Sequence, residues 1–155
     1  MDKKKEEECR DYQFESYEKL KKKHQDEFNR FPFMFAFSNE QFCEGMQKWG
    51  LKPTDTDKIY SLGDTGGFYL KTDAPRLREM RDRHERERKE AIANDKTGDG
   101  YIFEMFDFEL KNHEYGYTGS IDEAIDALGL TVDEINADGR LLHGLEKAMG
   151  KKETI

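Results

Sequence analysis

The sequence predicts an α+β fold, a small antiparallel sheet of about three strands surrounded by helices, with a helical C-terminal third. Three observations predict it. Two short apolar runs, KIYSL (58–62) and GFYLK (67–71), flank GDTG, and a third run, RFPFMFAF (30–37), is aromatic and interrupted by a proline. Gly supplies the positive φ a tight hairpin turn needs, and aromatic runs bounded by Gly or Pro read as strands. Most of the remaining chain carries apolar residues at helical rather than alternating spacing.

The elements follow in order. Residues 2–28 predict one charged helix, with Tyr17, Leu20, His24 and Phe28 on its apolar face. Residues 1–29 are therefore set apart as an N-terminal helix and 30–150 as a single α+β domain, its helical part being 101–150. Ser38 opens a helix, with Gln41 three residues on completing a capping box, and Phe42, Met46 and Trp49 give it a buried side. A long helix is expected from about Ala74 to Asn94, with Pro75 in the first turn, where its missing N–H costs nothing. Residues 101–113 are apolar almost all round and read as a buried helix, although Ile102, Phe106, Phe108 and Leu110 also alternate as a strand would. Ser120 with Glu123, and Thr131 with Glu134, form two more capping boxes, so short helices should begin at 121 and 132. A final helix over 139–149 should bury Leu141, Leu142, Leu145 and Met149.

The 155 residues suit one domain with a real core, and 11 Phe, 7 Tyr and Trp49 supply much of it, because apolar content is 35% and charged content 39%. The N-terminus MDKKKEEECRD lacks the apolar run of a secretory signal, and the longest apolar run, Phe33 to Phe37, is far short of the ~20 residues a membrane span needs. Cys9 and Cys43 make no CxxC and no disulfide framework, so free thiols in a reducing cytoplasm are expected, with Cys43 a small hydrophobe on its helix. The net charge of −8 is concentrated: residues 95–149 hold 13 acids against 4 bases. That balance argues against nucleic-acid binding through phosphates by the C-terminal third and favours a basic partner there.

The motifs are weighed one by one. NDKTGDGYIFEMF (94–106) resembles a calcium loop, with Asp95, Thr97, Asp99, Gly100 and Ile102 in the EF-hand pattern. Position 12 is Phe106, which cannot supply the bidentate carboxylate, so the stretch reads as a polar turn. RDRHERERKE (81–90) is basic, but Glu79–Arg83, Asp82–Arg86 and Glu85–Lys89 are acid-then-base pairs at i,i+4, which makes it a solvated helix face rather than a nucleic-acid surface. GDTGG (63–67) lacks the Lys and following helix of a phosphate loop. AIDALGLTVDEI (124–135) resembles a helix–turn–helix, but Asp133, Glu134 and Asp138 would repel phosphates, and a helical hairpin used for packing is expected. His113 lies one helical turn after Glu109, half of a metal site without HExxH or a second nearby His. No nucleophile–base pair follows from spacing, and no cofactor or metal site is expected.

FAFSNEQFCEGM (35–46), AIANDKTGDGYIFEMFDFELKNHEYGYTGSIDEAIDALGLT (91–131) and GRLLHGLEKA (139–148) resemble a group of small uncharacterised proteins encoded by bacteriophages and mobile elements of gut-type bacteria. The resemblance spans roughly residues 31–149 and implies a genomic setting rather than an activity, with NHEYGYTG (112–119) as its signature. The expected binding surface is accordingly Asn112, His113, Glu114, Tyr115 and Tyr117, with the acids Asp122, Glu123, Asp126, Asp133 and Glu134. The leading reading is a non-enzymatic accessory protein that binds another protein, its specific form an acidic inhibitor of a host nucleic-acid-binding defence factor. It involves no direct nucleic acid and no membrane. The alternative is a metal-dependent enzyme or metal-binding protein using Glu109, His113 and Glu114. A third reading is a homodimer formed through the N-terminal helix.

Overall fold

The structure is a computed structural model that describes residues 16–153, with side chains to Gly150. The expectations for residues 2–15 and for Cys9 lie outside the described residues. Among those described there are eight helices and one antiparallel sheet: α1 Tyr17–Arg30, β1 Met34–Phe35, α2 Asn39–Lys48, β2 Ile59–Leu62, β3 Gly67–Leu70, α3 Ala74–Asn94, α4 Tyr101–Asn112, α5 Tyr115–Thr118, α6 Asp122–Ala127, α7 Val132–Ala137 and α8 Gly139–Glu153. The α+β class read from the sequence is the class observed. No helix among the described residues is long and apolar enough to cross a membrane.

The described residues form two compact units, one made of 16–25 together with 86–153, the other Asp26–Glu85. Helices α1 and α3 therefore each contribute residues to both.

In the first unit α4 is the central helix. Ile102, Met105, Phe106 and Leu110 are fully buried on it, packed with Ala124 and Ile125 of α6, Ile135 of α7, and Leu141, Leu145 and Ala148 of α8. The strand alternative for 101–113 is settled by the pattern of burial: positions 102, 105, 106, 109 and 110 repeat at helical spacing and are all inside. The 124–135 segment buries Ala124, Ile125 and Ile135, but its two helices pack on different partners, α6 on α4 and α7 on α8, rather than chiefly on each other as a hairpin. Helix α8 approaches α4 closely at Gly144, where a Cβ would lie 2.6 Å from the Ile102 side chain and 2.9 Å from the Gly98 carbonyl.

In the second unit the strand order is β1-β3-β2, all neighbours antiparallel, with Met34 opposite Phe68 and Ile59 opposite Leu70. Residues directly opposite share a face, so Met34, Ile59, Phe68 and Leu70 pack on Met46 of α2. The other face places Leu62 and Tyr69 with Phe31, Phe33, Leu77 and Met80. The GDTG turn joins β2 to β3 as the sequence predicts.

Capping follows the sequence in two cases and departs from it in a third. Ser38 Oγ accepts from the Gln41 amide at 3.2 Å, and Gln41 Oε1 accepts in return from the Phe37 amide at 2.8 Å. Thr131 Oγ1 accepts from the Glu134 amide at 3.1 Å. Ser120 does not cap a helix beginning at 121: α6 starts at Asp122, its N-cap is Ile121, and Ser120 Oγ accepts only a 3.4 Å bond from the Asp122 amide. Cys43 is a free thiol on α2, but it is exposed rather than packed as a small hydrophobe.

Candidate functional site

The stretch expected to carry function begins where α4 ends. Its last turn brings Glu109 inward, and this carboxylate is 1% exposed. A buried carboxylate must be paired and hydrogen-bonded, and this one is. The Tyr17 hydroxyl donates to Glu109 Oε1 at 2.5 Å and Lys21 Nζ donates to the same oxygen at 2.7 Å. His113 Nε2 lies 3.4 Å from Glu109 Oε2, and His113 Nδ1 lies 3.5 Å from the exposed carboxylate of Glu123 on α6. Burial pushes the Glu109 carboxyl upward, but Lys21 and Tyr17, with His113 adding to them, outweigh it and hold the acid below its ordinary range. Burial, followed by the Glu109 carboxylate, pushes the Tyr17 phenol well above its ordinary range.

An aromatic frame fixes this cluster. The Tyr17 ring meets Tyr101 edge-on at 5.7 Å and Phe108 at 5.5 Å, and the Lys21 ammonium sits 4.8 Å over the Phe108 ring. Burial pushes the Tyr101 phenol up to about 12. The first amide of α1 is satisfied from outside its own helix: Tyr17 N donates to Glu104 Oε2 at 3.0 Å. Sequence reading found the Glu109–His113 spacing but missed Tyr17 and Lys21 as partners, because they lie 92 and 88 positions away. The one available signal was Tyr17 on the apolar face of α1, a buried phenol that requires an acceptor.

Beyond Asn112 the chain reverses. Glu114 has φ +57°, the one non-glycine residue with positive φ among the described residues, and it opens the single turn of α5. This reversal separates the expected site residues. Tyr115 is buried in the core cluster, whereas Tyr117 is 94% exposed. Asn112 and Glu114 are exposed and His113 is half-buried. Glu114 joins neither Glu109 nor His113 in an ion pair among the described residues, and Glu123, not Glu114, is the second carboxylate facing His113. Asp122, Glu123, Asp126, Asp133 and Glu134 are all exposed. Among the described residues no group of three or more His, Cys, Asp or Glu side chains is placed to hold a metal ion.

The loop resembling a calcium site spends its carboxylates on the protein. Asp95 Oδ1 accepts from the Thr97 and Gly98 amides at 3.2 and 2.9 Å, and Oδ2 accepts from the Gly100 and Ile102 amides at 3.0 Å each. Burial pushes its carboxyl up, but these four N–H groups outweigh it and hold it below its ordinary range. Asp95 thereby caps α4 from seven residues upstream. Asp99 Oδ1 accepts from His143 Nε2 at 2.7 Å and Lys147 Nζ at 3.1 Å, and this pairing, His143 first, lowers its carboxyl. The cation serving this turn is Arg140, whose Nη1 donates to the carbonyls of Ile92 at 3.0 Å, Ala93 at 3.4 Å and Asp95 at 2.7 Å.

The basic stripe of α3 is likewise engaged. Arg83 Nε pairs with Glu79 at 3.2 Å, the i,i+4 pair read from the sequence, and its Nη2 pairs with Glu27 of α1. His84 Nε2 lies 2.8 Å from the same Glu27, and His24 Nε2 lies 3.0 Å from Glu87. The stripe therefore faces partly inward, onto α1, which the solvated-face reading did not anticipate.

Comparison with curated proteins and with solved structures returns no match. A family model matches residues 16–151, a span that includes α1 as well as the segments whose resemblance began near residue 31. The chain belongs to that family, a family of unknown function designated DUF7659.

Proposed function

We propose that this chain is a non-enzymatic accessory protein of a phage or mobile element, working in the cytoplasm by binding another protein. The partner is basic, and its specific form is a host nucleic-acid-binding defence factor. The observation that carries the reading is the surface of α5 to α7. Tyr117 is 94% exposed, and none of the ion pairs among the described residues involves Asp122, Asp126, Asp133 or Glu134. Exposed tyrosine is a favoured interface anchor, and unneutralised carboxylates speed association with a positively charged partner. Acidic helices of this kind imitate a phosphate ladder and occupy a groove meant for nucleic acid.

The test is affinity capture at low and high salt from a lysate of a gut-type bacterium. It compares the natural chain with a variant carrying Tyr117→Ala, Asp126→Asn, Asp133→Asn and Glu134→Gln. A basic protein retained at low salt, released by salt and lost with the variant is the expected result. Equal capture by both chains contradicts the reading.

A second reading uses Glu109, His113 and Glu114, of which Glu109 and His113 face each other at 3.4 Å. It is the metal-binding or enzymatic alternative, and elemental analysis of purified protein separates it from the first: stoichiometric zinc or iron would favour it.

A further inference from the structure

We propose that a cleft in the second unit binds a phosphate dianion presented by a small phosphate monoester. The cleft encloses about 250 Å³, and three guanidinium groups, Arg30, Arg76 and Arg83, line it with Glu27, Glu79 and Phe31. The argument turns on which of these charges are already spent. Arg83 is: it pairs with Glu27 through Nη2 and with Glu79 through Nε. Glu27 is held a second time by His84, 2.8 Å away. Both acids of the cleft thus already have Arg83 as a partner, and His84 is a second partner of Glu27.

Arg30 and Arg76 are in a different position. None of the ion pairs among the described residues involves Arg30, the last residue of α1. Arg76 uses one nitrogen, Nη1, on Asp73 at 3.2 Å, and its guanidinium lies 5.5 Å over the Phe31 ring. A guanidinium carries five N–H donors, so Arg76 keeps most of its capacity. The cation–π contact with Phe31 leaves the Arg76 side chain 68% exposed.

The ligand class follows from that geometry. The two guanidiniums come from separate helices, the end of α1 and the first turn of α3. A tetrahedral phosphate offers oxygens to both forks at once, whereas a planar carboxylate presents one edge to one fork. The cleft is smaller than the roughly 300–1,000 Å³ of sites for drug-sized ligands, which fits a phosphate with a short attached group rather than a dinucleotide. Phe31 and Met80, both buried, give the cleft an apolar floor that strengthens charge-assisted hydrogen bonds above it. This site belongs to the second unit, and the acidic binding surface proposed above belongs to the first.

The experiment is a calorimetric titration of the full chain at low ionic strength with inorganic phosphate and phenyl phosphate, and with malonate as a dicarboxylate control. A double variant, Arg30→Ala with Arg76→Ala, removes two exposed side chains, and its circular dichroism and melting temperature check that it folds. Saturable one-to-one phosphate binding, weakened at least about tenfold in the double variant, is expected. Glu79→Gln, which removes a carboxylate from the wall, should tighten binding about two- to threefold. No saturation by about 20 mM phosphate, equal affinity in the double variant, or malonate binding as tightly as phosphate would each overturn the proposal.

Discussion

The hydroxyl of Tyr17 donates a 2.5 Å hydrogen bond to the carboxylate of Glu109, 92 positions further along the chain. This contact joins the start of α1 to the last turn of α4, and Lys21 completes it at 2.7 Å. A hydrogen bond to a charged group contributes about 1.5–3 kcal/mol, so Tyr17→Phe should destabilise by that amount in urea unfolding at pH 7. Lys21→Met should cost more, approaching about 3–5 kcal/mol, because it leaves the buried charge without its cation. A Lys21→Met chain as stable as the natural one would show that Glu109 is held by other groups.

Asp95 and Glu109 are among the carboxyls held below their ordinary ranges, and each contributes to the acid limb of stability. A carboxyl whose folded pKa is depressed contributes stability that is complete above its unfolded pKa and disappears as pH falls through the folded value. The loss should therefore begin below the ordinary values of 4.5 for Glu109 and 3.8 for Asp95. Chemical unfolding from pH 7 to pH 2.5 checks this. The stability gap between the natural chain and Glu109→Gln should narrow as pH falls, and a gap independent of pH would count against the assignment.

Gly98 has φ +88°, and a Cβ there would collide with the backbone oxygen of Arg140. Gly98→Ala therefore combines left-handed strain with a clash against rigid backbone, and about 1–3 kcal/mol of destabilisation is expected. Arg140→Met should act on the same joint from the other side. Losing its bonds to the carbonyls of Ile92, Ala93 and Asp95 should speed hydrogen exchange in the last turn of α3 and leave the sheet amides unchanged.

Calcium should have no effect. Asp95 already accepts four backbone N–H bonds, Asp99 already accepts from His143 and Lys147, and Phe106 stands where the closing carboxylate is required. A ligand that binds only the folded chain raises the melting temperature by mass action. Millimolar calcium is expected to leave both melting temperature and Trp49 fluorescence unchanged, and a rise would restore the metal reading of this loop.

The helices were legible because their signals are local. Ser38 with Gln41 and Thr131 with Glu134 carry their caps within four residues, and Ala74 to Asn94 was bounded by Pro75 and the polar turn. Ser120 misled because a capping pattern records a capacity, and the backbone there places Ile121 at the cap instead. Charge clusters were read less well. The i,i+4 reading of α3 captured Glu79 with Arg83 but not Glu27, whose carboxylate meets both Arg83 and His84 from 56 and 57 positions away. Within NHEYGYTG, spacing could not separate Tyr115 from Tyr117. The two rings stand two positions apart on the single turn of α5 and so point to opposite sides, one into the core and the other into water.

The central claim is that the face bearing Tyr117 meets a basic protein, and crosslinking from that position tests it most directly. Tyr117 is replaced by a photoreactive phenylalanine analogue, with the same analogue at Phe37, 77% exposed on the other unit, as the control. Irradiation in a bacterial lysate at low salt should give a covalent adduct with a basic protein from position 117 alone, and the adduct should fade as salt rises. Identical adducts from both positions, or none from 117, would contradict the account.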